Sequence, residues 1–313
     1  MKNFIKVISA SLLSLSMIIS LCSFTVRAES DNESHDRIAE NSVQGPASRW
    51  YLSTNKVESK NIFSYPKSNV SHNGKSLTTD SRVINGITYV AIRSFVNEVS
   101  DMTVLYYSAS RTIEVTGTGL TLSVKDGSNV MYANGRALFS MSPAVIMTNG
   151  RMYVPLRQIS KALGLALSDS AENGYAVLTG KVKPLMSGAD YYDADILYWL
   201  SRIISAESKG EPLLGQIAVG NVVQNRVKSS LYPNTYWGVI FDKKYGVQFS
   251  PVSDGSIYNA PTESAVTAAK ICLEGHTITT RALFFLRPKY STSSWIPKNR
   301  TYIFSIGNHD FYM

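Results

Sequence analysis

An internal repeat constrains the fold of this chain more than any other feature. The segment Ile84-Asn-Gly-Ile-Thr-Tyr-Val-Ala-Ile-Arg93 returns 64 residues later as Thr148-Asn-Gly-Arg-Met-Tyr-Val-Pro-Leu-Arg157. Each copy begins with Asn-Gly, which favours a tight turn, and continues as a short strand. Apolar residues at helical spacing follow in both copies: Phe95, Val96 and Val99, then Ile159, Ala162 and Leu163. The sequence therefore predicts a small α+β domain built from two copies of turn, strand and helix.

The first 28 residues have the pattern of a secretory signal peptide. Lys2 and Lys6 precede an apolar run interrupted by serines, and the run ends at Val26-Arg27-Ala28, which favours cleavage after Ala28. A retained membrane anchor fits less well because of those serines. Residues 29–75 are rich in Ser, Asn and Glu and have little periodicity, which indicates a flexible tether.

Charge and cysteine content exclude several classes of protein. The formal net charge is +8, and the predicted leader holds three of these positive charges. A mild positive charge favours an anionic cell wall, and the chain has no Lys/Arg cluster typical of nucleic-acid binding. With Cys22 in the leader, Cys272 is the only cysteine that remains, so no intramolecular disulfide can form. Its apolar helical neighbours predict a buried, inert thiol.

A second constraint is a carboxylate on an apolar helical stripe. Ile196, Leu200, Ile203 and Glu207 follow one another at spacings of 4, 3 and 4, and Gly210 and Pro212 end the helix. Desolvation and the negative end of the helix dipole would raise the pKa of Glu207, so that it could act as a general acid. The alternative is that its head group points into water at the rim of the stripe, as most helical glutamates do.

The segments that follow carry polar residues suited to a cleft. Asn221 and Asn225 lie four apart on a predicted helix, so they either face one cleft or are ordinary surface amides. In the Gly- and Pro-rich segment from Tyr245 to Gly255, Gln248 and Ser250 offer hydrogen bonds and Phe249 offers a stacking face. Asp254 is the best candidate for a second carboxylate, but it lies in an Asp-Gly turn where a structural role is equally well explained. With only His276 and His309 in this region, the sequence has no zinc-ligand pair, and no metal or other cofactor is expected.

These residues resemble the SleB/CwlJ family of spore cortex-lytic cell wall hydrolases. The resemblance covers about 120 residues and rests on an ordered set of motifs: Glu207-Ser-Lys-Gly-Glu-Pro212, Gly215-Gln-Ile-Ala-Val219, Val222-Val-Gln-Asn-Arg-Val227, Tyr232-Pro233, Gly238-Val-Ile240, Gln248-Phe-Ser-Pro251, Asp254-Gly255 and Gly307-Asn-His309. It implies a lysozyme-like fold, lytic transglycosylase activity on cortex peptidoglycan and Glu207 as the catalytic acid and base. Asn225, Gln248, Phe249, Ser250, Asp254 and His309 form the predicted substrate-binding set.

The repeat region resembles the copper amine oxidase N-terminal-like stalk domain of exported proteins. This resemblance implies a wall-binding or spacer module, and the family name implies no copper here because the only histidine of the segment, His72, lies at its edge. SleB enzymes commonly carry a different N-terminal peptidoglycan-binding module, and this chain departs from that pattern because it carries the stalk repeat.

The sequence thus predicts an α+β chain with a lysozyme-like catalytic domain after a small repeat domain. The predicted parts are a signal peptide (1–28), a tether (29–75), the stalk domain (76–180), a linker (181–188) and the hydrolase domain (189–313). We expect a secreted enzyme at the spore cortex or cell wall, with peptidoglycan as substrate and no membrane span in the mature chain. A germination regulatory protein is the other expected partner. Two alternatives stay open: a muramidase-type hydrolase that uses Glu207 with Asp254, and a non-catalytic wall-binding protein.

Overall fold

The structure is a computed structural model that describes residues 62–146, 149–170, 174–244, 246–289, 291 and 294–313. The predicted signal peptide and residues 29–61 of the predicted tether lie outside these residues. Within the described part, residues up to Asp193 form one compact unit and residues from Ala194 onward form another.

The first unit consists mainly of strands with two eight-residue helices. Its strands are β1 Asn69–His72, β2 Lys75–Ser76, β3 Ser81–Ile84, β4 Ile87–Ala91, β5 Thr103–Tyr107, β6 Thr112–Gly117, β7 Leu120–Lys125, β8 Val130–Ala133, β9 Arg136–Phe139, β10 Val145–Ile146, β11 Met152–Pro155, β12 Ala166–Ser170 and β13 Tyr175–Thr179. Its helices are α1 Ile92–Val99, α2 Leu156–Leu163 and the short α3 Gly188–Tyr191, and a 3₁₀ turn spans Ile62–Ser64.

The predicted repeat is confirmed as two copies of strand followed by helix. Strand β4 leads into α1 and β11 leads into α2, and the two strands pair antiparallel with Val154 opposite Val90. In the first copy, Asn85 and Gly86 form the two-residue turn between β3 and β4, with φ angles of 50° and 75°. Both positions need the left-handed region that Asn and Gly tolerate best, so this dipeptide determines the hairpin.

The two repeat copies share one sheet, and two other sheets complete the unit. The shared sheet has the order β10-β11-β4-β3, a second has the order β12-β13-β1-β2, and strands β5 to β9 form an antiparallel meander. Burial alternates along β6 and β7, which is the pattern of a sheet with one buried face. Apolar residues of α1, α2 and the meander meet in one core, which includes Phe95, Val115, Leu122, Ile159 and Leu163.

The segment predicted as a linker is hydrogen-bonded to this first unit. The Lys183 amide donates to the Leu163 carbonyl at 2.9 Å, and the Gly188 amide donates to the Asn134 carbonyl at 2.7 Å. Asn134 also donates through Nδ2 to the Leu185 carbonyl at 2.7 Å. The division between the units therefore falls after this segment, between Asp193 and Ala194.

The second unit places helices before strands. Its helices are α4 Ala194–Ser208, α5 Leu213–Lys228, α6 Tyr236–Ile240, α7 Ser250–Asp254, α8 Glu263–Leu273 and α9 Trp295–Asn299, with a 3₁₀ turn at Ser256–Tyr258. Its strands are β14 Phe284–Leu286, β15 Tyr302–Ile306 and β16 His309–Tyr312, in the order β14-β16-β15. The predicted α+β class is confirmed.

Helices α4, α5 and α8 pack against one another at the centre of the second unit. A Cβ atom at Gly220 of α5 would lie 2.7 Å from the Cys272 sulfur and 2.8 Å from Cδ1 of Ile204, so only glycine permits this approach. Cys272 is buried as predicted, and burial raises the pKa of its thiol well above the ordinary range. Among the described helices, none has the length and apolar character needed to cross a membrane.

Candidate active site

Glu207 lies in the last turn of α4, on the stripe that the sequence predicted. Leu200 and Ile203, the preceding members of the stripe, are fully buried, and Glu207 is half-buried where the helix ends. Burial raises the pKa of Glu207 to about 7, Arg226 opposes the rise, and Asp254 adds to it. A carboxyl group with this pKa is partly protonated near neutral pH, so it can both donate and accept a proton.

Arg226 supplies a buried positive charge beside Glu207. It lies on α5 and is 5 % exposed, and its Nε donates to the Leu283 carbonyl at 2.8 Å. Its Nη1 is buried without a hydrogen-bond partner. Because a buried cation is costly unless it is compensated, the neighbouring carboxylates Glu207 and Asp242 stabilise its charge.

Aromatic rings enclose the Arg226 guanidinium and include one of the predicted substrate contacts. The rings of Tyr232 and Phe249 each lie 5.0 Å from it, and that of Phe284 lies at 5.5 Å. Phe249 is only 3 % exposed. The expectation of an open stacking face at Phe249 is therefore wrong, because its ring packs against Arg226 in the core.

Gln248 and Ser250 flank Phe249 and are half-buried. The Gln248 side chain donates to the Gly246 carbonyl at 3.1 Å, which orders its own loop. Ser250 begins the short helix α7, and Pro251 follows at its first turn. Tyr245, at the start of the predicted groove segment, lies outside the described residues.

Asn221 and Asn225 share one face of α5, and that face meets the loop after α8. Asn221 is 1 % exposed and accepts a 2.7 Å hydrogen bond from the Ile278 amide. Asn225 donates to the carbonyls of Thr279 at 3.1 Å and Ala282 at 2.9 Å. These amides hold the loop onto the helix. They neither line a cleft together nor lie as ordinary amides on the surface, which were the two interpretations that the sequence allowed.

Asp254 is exposed at the end of α7. Its Oδ1 accepts a 2.8 Å hydrogen bond from the Ser256 amide, which is the turn role that the sequence left open. The negative charge of Asp254 nevertheless contributes to the raised pKa of Glu207. Asp254 therefore combines a structural contact with an electrostatic effect on the candidate acid.

His309 belongs to a buried cluster around Glu211. The Glu211 carboxylate accepts hydrogen bonds from the Asn308 amide at 2.8 Å and from Asn308 Nδ2 at 3.1 Å. Arg287 Nη2 lies 3.8 Å and His309 Nδ1 lies 3.7 Å from Glu211 Oε1. Burial lowers the pKa of His309 to about 4, although the negative charge of Glu211 acts to raise it. The imidazole is therefore neutral at pH 7.

This cluster explains the Gly307-Asn-His309 motif. His309 is 1 % exposed, so its predicted substrate contact is wrong for this conformation because no ring face reaches solvent. A side chain at Gly307, where φ is 57°, would overlap Oε2 of Glu211. The motif thus provides space and hydrogen bonds for the buried Glu211 carboxylate at the turn between β15 and β16.

Arg226 and Glu211 are buried charged residues for which the sequence predicted no role. Val219, Val222 and Val223 are fully buried on α5, and Arg226 continues their stripe at spacings of 7, 4 and 3. Arg226 therefore carries the same signal as Glu207, a charged residue on an apolar helical stripe. No local pattern in the sequence predicts the burial of Glu211, because its partners Arg287, Asn308 and His309 lie far along the chain.

The described residues contain no group of three or more His, Cys, Asp or Glu side chains that could hold a metal ion. In the repeat region, Nε2 of His72 lies 2.9 Å from the Gly180 carbonyl, a backbone contact. The side chains described in the repeat region therefore do not fit a copper site.

Two family matches cover most of the described chain. Residues 210–312 match the cell wall hydrolase family, and residues 71–177 match the copper amine oxidase N-terminal domain family. The first match begins three residues after Glu207, so the candidate role of Glu207 rests on the geometry described above. The chain thus carries a cell wall hydrolase domain after a copper amine oxidase N-terminal domain.

Individual relatives agree with the match to the hydrolase family. A spore cortex-lytic enzyme of Bacillus cereus is 40 % identical over 120 residues, which are 38 % of this chain and 45 % of that protein. The Bacillus subtilis spore cortex-lytic enzyme is 38 % identical over 112 residues, 36 % of this chain and 35 % of that protein. The chain thus spans less than half the length of these relatives.

A solved structure is also similar to part of this chain. The catalytic domain of the germination-specific lytic transglycosylase SleB from Bacillus anthracis is 38 % identical, and the alignment covers 41 % of this chain and 100 % of that domain. The TM-score of this alignment is 0.36.

Proposed function

We propose that this chain, with its cell wall hydrolase domain, is a peptidoglycan-degrading enzyme in which Glu207 serves as the single catalytic acid and base. The observation that carries the proposal is the half-buried Glu207 carboxyl group, whose pKa is raised to about 7 beside Arg226. The similarity to proteins named spore cortex-lytic enzymes supports cortex glycan as the substrate, cleaved during germination. Such a substrate implies that the enzyme is exported to the cortex or cell wall.

The first half of the reaction needs a protonated Glu207. It donates its proton to the oxygen that links muramic acid to the next glucosamine, and the bond from the anomeric carbon to that oxygen breaks. The leaving sugar departs as a neutral alcohol, and Glu207 becomes a carboxylate. The buried guanidinium of Arg226 stabilises this carboxylate, because it lowers the cost of the negative charge.

In the second half, the 6-hydroxyl of the same muramic acid attacks its anomeric carbon. Glu207 removes the hydroxyl proton, which restores the acid and leaves a 1,6-anhydro ring without consuming water. An intramolecular nucleophile of this kind can have an effective molarity of roughly 10⁵ M or more when it is well oriented. One carboxyl group is therefore enough for the complete cycle.

A second candidate is hydrolysis, with Asp254 as the other carboxylate. The observation in its favour is that the charge of Asp254 influences the pKa of Glu207. A hydrolase needs its second carboxylate to activate water or to attack the sugar. The hydrogen bond from the Ser256 amide occupies Oδ1 of Asp254, which favours a structural role and supports the single-acid route.

Product analysis distinguishes these reactions. Purified cortex sacculi would be digested, and the products would be analysed by mass spectrometry before and after borohydride treatment. Anhydro ends that resist reduction are expected, whereas mainly reducible muramic ends would contradict the single-acid route and favour Asp254. Glu207→Gln keeps nearly the same shape but has no proton to donate, so release of muropeptides should stop. Full lysis by a folded Glu207→Gln variant would reject the proposal.

For the repeat domain, we propose a wall-binding role that raises the local concentration of the catalytic domain at its substrate. A germination regulatory protein is a further proposed partner. Retention of the chain on intact sacculi, compared with retention of residues 194–313 alone, tests the binding role. Equal retention would reduce the repeat domain to a spacer.

A further inference from the structure

The repeat domain contains a cleft of about 500 Å³ that the proposed reaction does not use. It is lined by the segment before β3, the beginning of α1, the turn before β11 and the facing parts of β5 and β6. Both copies of the repeat therefore contribute to it. Its size lies within the range of about 300–1,000 Å³ that is usual for small-molecule sites.

The floor of the cleft is apolar and its wall carries hydroxyl groups. Ile92, Ile113 and Met152 are each less than 5 % exposed and form part of the lining. Thr79 and Ser94 also belong to the lining; their hydroxyl groups lie 2.7 Å apart, and that of Ser94 donates to the Ala91 carbonyl at 3.1 Å. A surface that combines apolar and hydroxyl groups suits a sugar ring, which has C–H faces and a polar edge.

One aromatic ring at the cleft is open to solvent. Tyr106 of β5 is 44 % exposed and lies among the lining residues. It points to the same side of β5 as Val104, which is buried in the core. An exposed ring at the edge of a cleft offers a stacking face that a buried core tyrosine does not.

The charge balance of the cleft is positive. Asp80 forms an ion pair with Arg82 at 2.9 Å and accepts a 2.6 Å hydrogen bond from the Tyr153 hydroxyl, so its charge is compensated. Arg93 and Arg151, both exposed, add two positive charges to the lining. A guanidinium group is the side chain best suited to hold a carboxylate through paired hydrogen bonds.

The Arg93 guanidinium is held in place by the protein itself. Its Nη1 donates to the Val104 carbonyl at 2.9 Å, two residues before Tyr106 on the same strand. This bond ties the cation to the strand that carries the exposed ring. Positioning of this kind reduces the conformational entropy that a ligand would otherwise have to overcome.

We propose that this cleft binds a carboxylate-bearing sugar, with the ring against Tyr106 and the apolar floor and the carboxylate on Arg93 and Arg151. A muropeptide, which combines an amino sugar with free carboxylates, has this chemistry. The choice of that probe rests on the proposed function, whereas the preference for an anionic sugar rests on the cleft. Binding here would hold the enzyme on glycan without involving Glu207.

Calorimetric titration of the full chain tests the site. The protein carries Glu207→Gln so that the ligand is not consumed, and the ligand is a soluble disaccharide-peptide with free or amidated carboxylates. Arg93→Gln and Arg151→Gln should each weaken binding of the free form about tenfold or more, the usual effect of losing a charge-assisted hydrogen bond. Lys75→Gln removes an exposed cation outside the lining and should leave the affinity unchanged.

Several results would overturn the assignment. These are equal affinity for the amidated ligand, the same affinity in all three charge variants, or tighter binding of glycerol phosphate than of the disaccharide-peptide. Near-ultraviolet circular dichroism of each variant establishes that the fold is intact. Cleavage of sacculi by the unmodified chain is measured separately. Cleavage without arginine-dependent binding rejects only this cleft, and arginine-dependent binding without cleavage rejects only the proposed enzyme.

Discussion

Glu207→Gln should stabilise the protein at neutral and alkaline pH while it abolishes activity. The pKa of Glu207 rises from an ordinary 4.5 to about 7 in the folded protein, a difference of about 2.5. At about 1.4 kcal/mol for each pKa unit, this corresponds to about 3.5 kcal/mol between the two protonation states. Because the folded chain keeps a proton that the unfolded chain has lost, the free energy of unfolding decreases between pH 4.5 and 7.

The contribution of Glu207 to stability is therefore fully present below about pH 4.5 and lost by about pH 7. Glutamine has no such loss, so the stability of Glu207→Gln relative to the unmodified chain should improve by about 3 kcal/mol between pH 4 and pH 8. His309 acts in the opposite direction, since its lowered pKa costs stability as the pH falls from 6.5 to about 4. Only the difference between variant and unmodified chain, measured at both pH values, isolates Glu207.

Urea titration followed by tryptophan fluorescence provides this measurement. Trp199, Trp237 and Trp295 are three of the four tryptophans, so the signal reports mainly on the second unit. Glu263→Gln, which removes an exposed carboxyl group from the same domain, is the matched control. A stability difference for Glu207→Gln that does not change with pH, or that favours glutamate at pH 8, would refute the reasoning about the buried acid.

Further predictions concern the reaction, the Glu211 turn and the domain division. The initial rate of cortex lysis should fall as the pH rises above about 7, because Glu207 must start protonated. An unchanged rate up to pH 9 would exclude Glu207 as the catalytic acid. Asp254→Asn removes a charge that raises the pKa of Glu207, so the fall in rate should begin at a lower pH while cleavage is retained. Complete loss of cleavage would instead identify Asp254 as a catalytic residue. Gly307→Ala should lower the free energy of unfolding by about 2 kcal/mol or more because its methyl group meets Glu211, whereas Gly255→Ala, with φ of 80° and open space, should cost only about 1 kcal/mol. Residues 194–313 alone should cleave soluble glycan at the rate of the full chain, and a much lower rate would show that the repeat domain assists chemistry.

Local patterns in the sequence determined the elements of this fold. The Asn-Gly dipeptide at 85–86 specifies its hairpin because few other residues adopt two consecutive left-handed conformations. The stripe from Leu200 to Glu207 formed as predicted because helical periodicity depends only on residues close in sequence. The same periodicity brought Glu207 to a half-buried position, where desolvation raises its pKa.

The tertiary structure decided which polar residues face solvent and which serve as supports. Asn225 and Phe249 have side chains suited to binding a sugar, yet both are used in long-range contacts. Asn225 holds the loop after α8, and Phe249 packs against the guanidinium of Arg226. Glu211 and His309 meet only because the β15–β16 turn returns to the start of α5, nearly a hundred residues away in sequence. Composition and spacing describe what a side chain can do, but burial and partners depend on elements that are distant along the chain, and these contacts appear only when the chain has folded.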